Sequence, residues 1–268
     1  MLKQILIGGI VGSMTLFVCI GGCTHAPETG RSQFIVMSPA QEMKLGQDAF
    51  SKILKEETLV TSGENYEMVQ RVGESVAIAA NRLYPNAVQG YKWKFALIKN
   101  EEMVNAWALP GGKCGIYTGL LPITENEDAL AIVMAHEVAH VVARHGAERS
   151  SRAMVSTIIA GVAMKETKKG KRALALAAYG VGIALPFSRG QETEADQLGL
   201  YIAADAGYDP RQAIPLWKRM EKSGKKAPFE FMSTHPTSKT RMNQIQGWMP
   251  RAMMYYENAV AHEAALQQ

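Results

Sequence analysis

The chain has 268 residues, of which 47% are hydrophobic and 20% charged, so it is neither disordered nor collagen-like and can bury a substantial core. Its 29 Lys and Arg residues and 25 Asp and Glu residues leave a net charge of +4 that is spread along the chain, which argues against nucleic acid as a partner. Three cysteines exclude a disulfide scaffold.

The first 22 residues have the pattern of an export signal. Lys3 is their only charge, and residues 5–20 are mostly apolar but short and glycine-rich for a membrane span. Residues 20–23 read IGGC and resemble a bacterial lipobox, which implies cleavage before Cys23 and lipidation of that cysteine. A plain signal peptide or a weak anchor helix is the alternative. Because Thr24 rather than aspartate follows, the sorting pattern favours a lipid anchor in the outer membrane, on the periplasmic side of a bacterial cell envelope.

We interpret residues 23–37 as a polar tether and residues 38–268 as one folded domain. Ser38 and the following Pro-Ala-Gln form a capping-box pattern, which predicts a helix from this point to about residue 57. A second helix is predicted over residues 65–84 from its single apolar face.

A small sheet is predicted next. Residues 92–98 alternate between polar and apolar, as in a half-buried strand, and residues 104–109 and 115–118 are expected to pair as a hairpin across the Pro-Gly-Gly at 110–112. From residue 126 onward the pattern is helical to the end. The expected fold class is therefore α+β, mainly helical, with a small β-sheet before the central helix.

The central helix carries the first chemical motif. A capping box is predicted at residues 124–127, and residues 129–135 are apolar on nearly every face, so this helix should be buried. It continues into the sequence HEVAH, in which His136 and His140 are four apart and project toward one point. In this arrangement two imidazoles bind zinc, and Glu137 takes a proton from a bound water. A divalent metal would offset the cost of burying such polar groups.

Zinc that keeps one position open for water needs a third protein ligand. A histidine ten positions after the first one would supply it in one class of peptidase, but residues 143 and 146 are Ala143 and Gly146 instead of the glycine and histidine required. His145 lies about half a turn from the face of His136 and is interpreted as a surface histidine.

A downstream helix, predicted to run to about residue 206, offers carboxylates. Glu192 and Asp196 share one face, whereas Glu194 points nearly the opposite way. One of the two could bind metal while the other accepts a hydrogen bond from a ligating imidazole. The alternative is that acids near a helix N-terminus only complement the helix dipole.

Four sequence blocks in a fixed order are similar to one known family. They are Asn105 to Gly112 (NAWALPGG), the HEVAH motif, Ser188-Arg189 with Glu192 and Asp196, and His235-Pro236 with Arg241. Over about residues 40–250 this order resembles the HtpX-type zinc endopeptidases, the family that also contains the CAAX prenyl proteases, and in particular their periplasmic lipoprotein branch. The resemblance implies a gluzincin-type zinc peptidase domain.

Several residue roles are implied by the resemblance, and those of Glu192 and Asp196 agree with the facing argument above. It implies one Zn²⁺ per chain with Glu192 as the third ligand, and it places Asp196 and Arg241 behind the ligands. It also implies that His235 faces the metal. There this histidine would either stabilise the transition-state oxyanion or occupy the open position in a resting form, and these two roles predict opposite effects of its removal.

Two other segments have open interpretations. Asn105, Ala106, Trp107 and Ala108 are candidates for binding an extended peptide by strand addition, or Trp107 and Ala108 are ordinary sheet core. Residues 153–185 form two apolar stretches around a basic tip, which favours packed helices joined by a solvated loop or an amphipathic hairpin that covers the cleft or touches the membrane surface.

The sequence therefore predicts a zinc-dependent endopeptidase that acts on polypeptides of the cell envelope, misfolded or unassembled ones in particular. Zinc held by His136, His140 and Glu192 would acidify a water, and Glu137 would accept its proton and pass it to the leaving amine. The alternatives are a zinc-stabilised envelope chaperone with little proteolysis and a structural lipoprotein with an accidental metal pattern.

Overall fold

The computed structural model describes residues 23–159, 187–224, 230–235 and 239–266. The predicted signal segment, residues 1–22, lies outside this part of the chain, and so does most of the predicted apolar hairpin at 153–185. Within the described ranges no helix combines the length and apolar character that crossing a membrane requires.

The described part of the chain is mainly helical with two small sheets, which confirms the α+β prediction. The helices are α1 (Pro39–Glu56), α2 (Glu64–Leu83), α3 (Leu121–Thr124), α4 (Glu127–Val142), α5 (His145–Ile159), α6 (Arg189–Asp205), α7 (Ala213–Gly224), α8 (Glu230–Thr234) and α9 (Lys239–Leu266). The strands are β1 (Cys23–His25), β2 (Ser32–Phe34), β3 (Leu59–Val60), β4 (Lys94–Ile98), β5 (Ala106–Leu109) and β6 (Lys113–Tyr117).

Among the described residues, the larger sheet has an edge strand beside the central helix. Its order is β3-β4-β6-β5, with β4 and β6 parallel and the other pairs antiparallel. The predicted hairpin is present as β5 and β6, and the turn uses Gly111 and Gly112 at φ angles of 86° and 76°, which glycine adopts at no steric cost. Strand β5 is thus an edge strand, and it packs against α4.

The N-terminal cap of α1 agrees with the sequence prediction, whereas the cap of the central helix α4 differs from it. Ser38 and Gln41 form the predicted capping box of α1. Helix α4, however, is capped by Asn126, whose side chain accepts a hydrogen bond from the Ala129 amide, so the capping box predicted at residues 124–127 is wrong. The left-handed Glu125, at φ 65°, separates α4 from the preceding short helix and makes Asn126 the first available cap.

Residues 23–37, which the sequence suggests are a polar tether, form ordered structure against the domain. Strands β1 and β2 pair in antiparallel register, Cys23 opposite Phe34, and Ala26, Ile35 and Met37 are buried. The polar character that suggested a tether arises because side chains between the strands are bonded to carboxylates on α5 and α6. Such partners are distant in sequence and give no local pattern.

Helix α4 is the centre of the molecule, buried from Ala129 to Val142 as its apolar sequence predicts. It packs against α2, α6 and β5, and α6 packs in turn against α9. The close crossing of α4 and α6 depends on Gly199. A Cβ at that position would lie 2.8 Å from the His136 Cα and 2.9 Å from the His136 amide nitrogen.

We expect Gly199→Ala to lower the free energy of unfolding by about 1–3 kcal/mol, because the added methyl group would meet backbone that cannot rotate away. Gly247→Ala is the matched control: Gly247 is also helical and has open space around it, so helix propensity should raise stability by about 0.5–1 kcal/mol. Urea unfolding of both variants measures the difference. Equal stability of the two variants would show that the crossing tolerates a side chain.

Candidate metal centre and active site

Three separate helices bring four potential metal ligands to one buried point. His136 and His140 project from α4, Glu192 from the first turn of α6, and His235 follows the end of α8. One ligand atom from each lies within 4.8 Å of the others, and all four side chains are buried. The i,i+4 spacing of the two α4 histidines makes their side chains converge, as the sequence predicts.

The separations between these atoms match a zinc site. His136 Nε2 lies 3.2 Å from His140 Nε2 and 3.3 Å from His235 Nδ1. Glu192 Oε1 lies 3.4 Å from His140 Nε2 and 2.9 Å from His235 Nδ1. Tetrahedral ligands with bonds of about 2.0–2.1 Å to zinc are separated by about 3.3 Å, so the residues present fit the ion.

The chemistry of the donor set leads to the same conclusion. Three imidazole nitrogens face one another around Glu192, and they cannot all be satisfied by hydrogen bonds among themselves. Burial by itself raises the pKa of Glu192, but hydrogen bonds from His140 and His235 lower this pKa well below its ordinary value. The carboxylate is therefore held in its charged, metal-binding form.

Asp196 and Arg241 lie directly behind the first histidine. Asp196 Oδ1 is 3.2 Å from His136 Nδ1, the nitrogen that faces away from the cluster. Arg241 donates to both Asp196 oxygens, at 2.5 and 2.7 Å, and its Nη1 lies 2.8 Å from Glu192 Oε2. The arginine more than offsets the cost of burial and lowers the pKa of Asp196. The structure therefore brings together all the residues that the sequence suggested for this side of the site.

The second α4 histidine has a partner that the sequence analysis missed. His145 is fully buried, and its Nδ1 lies 2.8 Å from His140 Nδ1, so its interpretation as a surface histidine is wrong. The error assumed that the helix continues straight. Helix α4 instead ends at Val142, and Arg144 adopts a left-handed conformation at φ 54°, which turns the chain back so that His145 meets His140 from behind. A left-handed arginine has no clear signal in the sequence.

Glu137 lies between the cluster and a groove. Its Oε1 is 3.4 Å from His235 Nε2, and burial raises the pKa of this carboxyl above its ordinary value. The groove has a volume of about 310 Å³ and is lined on one side by β5. A larger groove of about 590 Å³, between α1, α2 and β4, contains none of the four clustered side chains, so we assign the site by its chemistry instead of its size.

The residues suggested for peptide binding all line the groove near Glu137: Asn105, Ala106, Trp107 and Ala108. Ala106 is buried, whereas Trp107 and Ala108 are half-buried. The Trp107 ring covers Gly115 on the neighbouring strand, where a Cβ would come within 2.2 Å of it, and it contacts Phe50 edge-on. The Trp107 side chain is thus packed against the sheet and also partly exposed to the groove.

A helix-borne His-Glu-x-x-His pair joined by a carboxylate from a second helix defines a metallopeptidase site. Comparison with known sequences agrees: Peptidase family M48 matches residues 64–249, and the chain belongs to this family. The family resemblance expected from the motifs is confirmed at this level. The chain is therefore a zinc metalloendopeptidase, which excludes a purely structural role.

The relatives carry names of the same kind. The chain is 35% identical to the mitochondrial metalloendopeptidase OMA1 of Schizosaccharomyces pombe, over 88% of this chain and 69% of that protein. It is 32% identical to the protein of the same name from Saccharomyces cerevisiae, over 91% and 76%. It is also 28% identical to the beta-barrel assembly-enhancing protease of Escherichia coli, over 90% of this chain and 51% of that protein.

Proposed function

We propose that His136, His140 and Glu192 hold the catalytic zinc and that Glu137 is the general base for peptide-bond hydrolysis. The observation that carries this assignment is the position of Glu137, which borders both the ligand cluster and the groove. When bound, zinc supplies a Lewis acid that polarises the scissile carbonyl and makes a water acidic near neutral pH. Glu137 accepts the proton at its carboxylate and returns it to the leaving amine.

Strand β5 is proposed to hold the substrate. It is the edge of its sheet and lines the groove beside Glu137, so an extended peptide can add to it as a further strand. Such binding uses backbone hydrogen bonds and selects an extended conformation more than particular side chains. This is suited to unfolded polypeptides, and Asn105 to Ala108 are the contacting residues.

Glu137→Gln is expected to retain zinc and to lower casein hydrolysis by about a hundred- to ten-thousandfold, because only the proton acceptor is removed. His136→Ala should lose both the metal and the activity. Metal analysis and a chelator-sensitive casein assay measure the two effects.

With a peptide bound to Glu137→Gln, amide hydrogen exchange over residues 105–108 should slow. Full peptidase activity of Glu137→Gln would refute the base, and unchanged exchange would refute strand addition.

His235 is proposed to occupy the fourth position of the metal in a resting form. Its Nδ1 lies among the ligand atoms, at 2.9 Å from Glu192 Oε1. Its ring is stacked between Phe187 and Phe231, with centroid distances of 5.0 and 4.6 Å. Four protein ligands are typical of a closed structural zinc site, whereas a catalytic site keeps one position for water. Of the two roles left open by the sequence, this geometry favours the blocking one.

His235→Ala is therefore expected to increase casein hydrolysis severalfold, since it opens the fourth position. Zinc should remain bound through the other three ligands. Initial rates at saturating zinc measure the change, with Phe231→Leu as a variant that loosens the stacking but keeps the imidazole. A fall in activity of the His235→Ala variant with zinc still bound would assign His235 to oxyanion stabilisation instead.

We propose further that the chain belongs to the periplasmic lipoprotein branch of its family and acts on misfolded or unassembled proteins of the bacterial cell envelope. The lipobox at residues 20–23 supports a lipid anchor with residues 1–22 as its signal peptide, and Thr24 supports sorting of that anchor to the periplasmic side of the outer membrane. The name of the Escherichia coli relative associates that protein with β-barrel assembly, and this similarity supports a substrate of that kind for this chain. The printed names of the two yeast relatives place those proteins in mitochondria.

Expression in bacteria should yield a mature chain that begins at an acylated Cys23, detected by mass spectrometry of its N-terminal peptide and by fractionation with the outer membrane. Cys23→Ser is expected to abolish both the acylated N-terminal peptide and the fractionation with the outer membrane. Cys19→Ser, four positions upstream in the signal peptide, should leave both the acylation and the fractionation unchanged. An unmodified Cys23 in the membrane fraction would refute lipidation.

A further inference from the structure

His140, the second histidine of the cluster, is supported from behind by other side chains, as His136 is by Asp196 and Arg241. His145 Nδ1 lies 2.8 Å from His140 Nδ1, and His145 Nε2 lies 2.9 Å from Glu194 Oε2. Both His145 and Glu194 are buried. A histidine and a carboxylate thus stand in line behind His140, on the side away from the cluster.

The protons along this line have one consistent arrangement. If His140 binds the metal through Nε2, its remaining proton is on Nδ1, and this N–H donates to His145 Nδ1. Neutral His145 then carries its own proton on Nε2 and donates it to Glu194 Oε2. The opposite direction would require His140 to lose both ring protons. Each polar atom of the line is therefore satisfied in only one tautomeric state.

Glu194 is fixed by the N-terminal strand pair. Thr29 donates to Glu194 Oε1 at 2.6 Å, and Arg31 donates to both Glu194 oxygens, at 2.9 and 2.8 Å. The same guanidinium pairs with both oxygens of Glu148 on α5, at 2.9 and 2.8 Å. Arg31 thus joins two buried carboxylates, and it does so from the turn between β1 and β2.

We infer that His145 and Glu194 are positioning residues for His140, and that Arg31 makes the N-terminal strand pair part of the metal centre. The inference rests on the proposed role of His140 as a zinc ligand. Partners of this kind fix the tautomer and orientation of a ligating imidazole and increase its basicity. The segment after Cys23 is then a structural support of the active site as well as a connection to it.

Zinc affinity of the full chain, measured by competition with a chelator, tests the inference without relying on activity. We expect His145→Leu to weaken zinc binding about 10- to 100-fold, the usual effect of losing such a partner. His145→Gln should largely restore it, because the amide oxygen can accept from His140 and the amide nitrogen can donate to Glu194. Arg31→Met should weaken binding in the same direction from a partly exposed position, which provides a test if His145→Leu does not fold.

Glu28→Gln is the matched control. Glu28 lies in the turn between β1 and β2, as Thr29 does, but its carboxylate pairs with Arg251 and not with the Glu194 cluster. Zinc affinity should therefore stay at the wild-type value while the metal-free protein loses some stability. Wild-type zinc affinity in Arg31→Met and in any folded His145→Leu would overturn the inference, as would a loss in Glu28→Gln equal to that in Arg31→Met. His136→Ala separates failure of this inference from failure of the proposed metal site. If this variant binds zinc like the wild type, the proposed metal site itself is wrong.

Discussion

The packing of α6 against α4 sets the positions of the potential metal ligands. The two helices cross closely because Gly199 has no side chain to hold them apart, and this crossing brings Glu192 to the two histidines of α4. The helices are buried, so the polar groups at the crossing have no water to solvate them. Every further polar element of the site serves to satisfy these groups.

Helix α6 supports the two histidines of α4 from opposite sides. Its residues 192 and 196 face α4, where Asp196 contacts His136, whereas Glu194 points away and reaches the turn of chain that carries His145. Each carboxylate is paired with an arginine from an end of the domain, Asp196 with Arg241 of α9 and Glu194 with Arg31 of the N-terminal strand pair. Removing one partner of a buried ion pair typically costs about 3–5 kcal/mol, which applies to Asp196 and Arg241, whereas the partly exposed Arg31 makes its pair with Glu194 weaker. The site therefore connects segments that are distant in sequence.

The helical periodicity predicted the residues that lie on continuous helices. His136 and His140 share one face of α4, and Glu192 and Asp196 share one face of α6, as the i,i+4 spacing suggests, whereas the family resemblance implies that the two pairs meet. The hairpin of β5 and β6 follows from its Pro-Gly-Gly turn. The position of His145 is not predicted because it depends on the left-handed Arg144, which Glu42 of α1 holds. The role of Arg31 is not predicted either, because its partners lie more than a hundred residues away. Local patterns carry no information about contacts of that range.

The same arrangement explains how a metal and a fold can depend on each other. Ligands from α4, α6 and the end of α8 meet at one point, and the supports behind them come from α9 and the N-terminal strands. An ion bound at that point favours every conformation in which these segments stay packed, since binding free energy at such a site is also folding free energy. His235 differs from the other three potential ligands in that it follows the five-residue helix α8 instead of lying on α4 or α6. Phe231 of that helix is fully buried and stacks on the His235 ring, so a rotation of the His235 side chain disturbs the core less than a movement of α8.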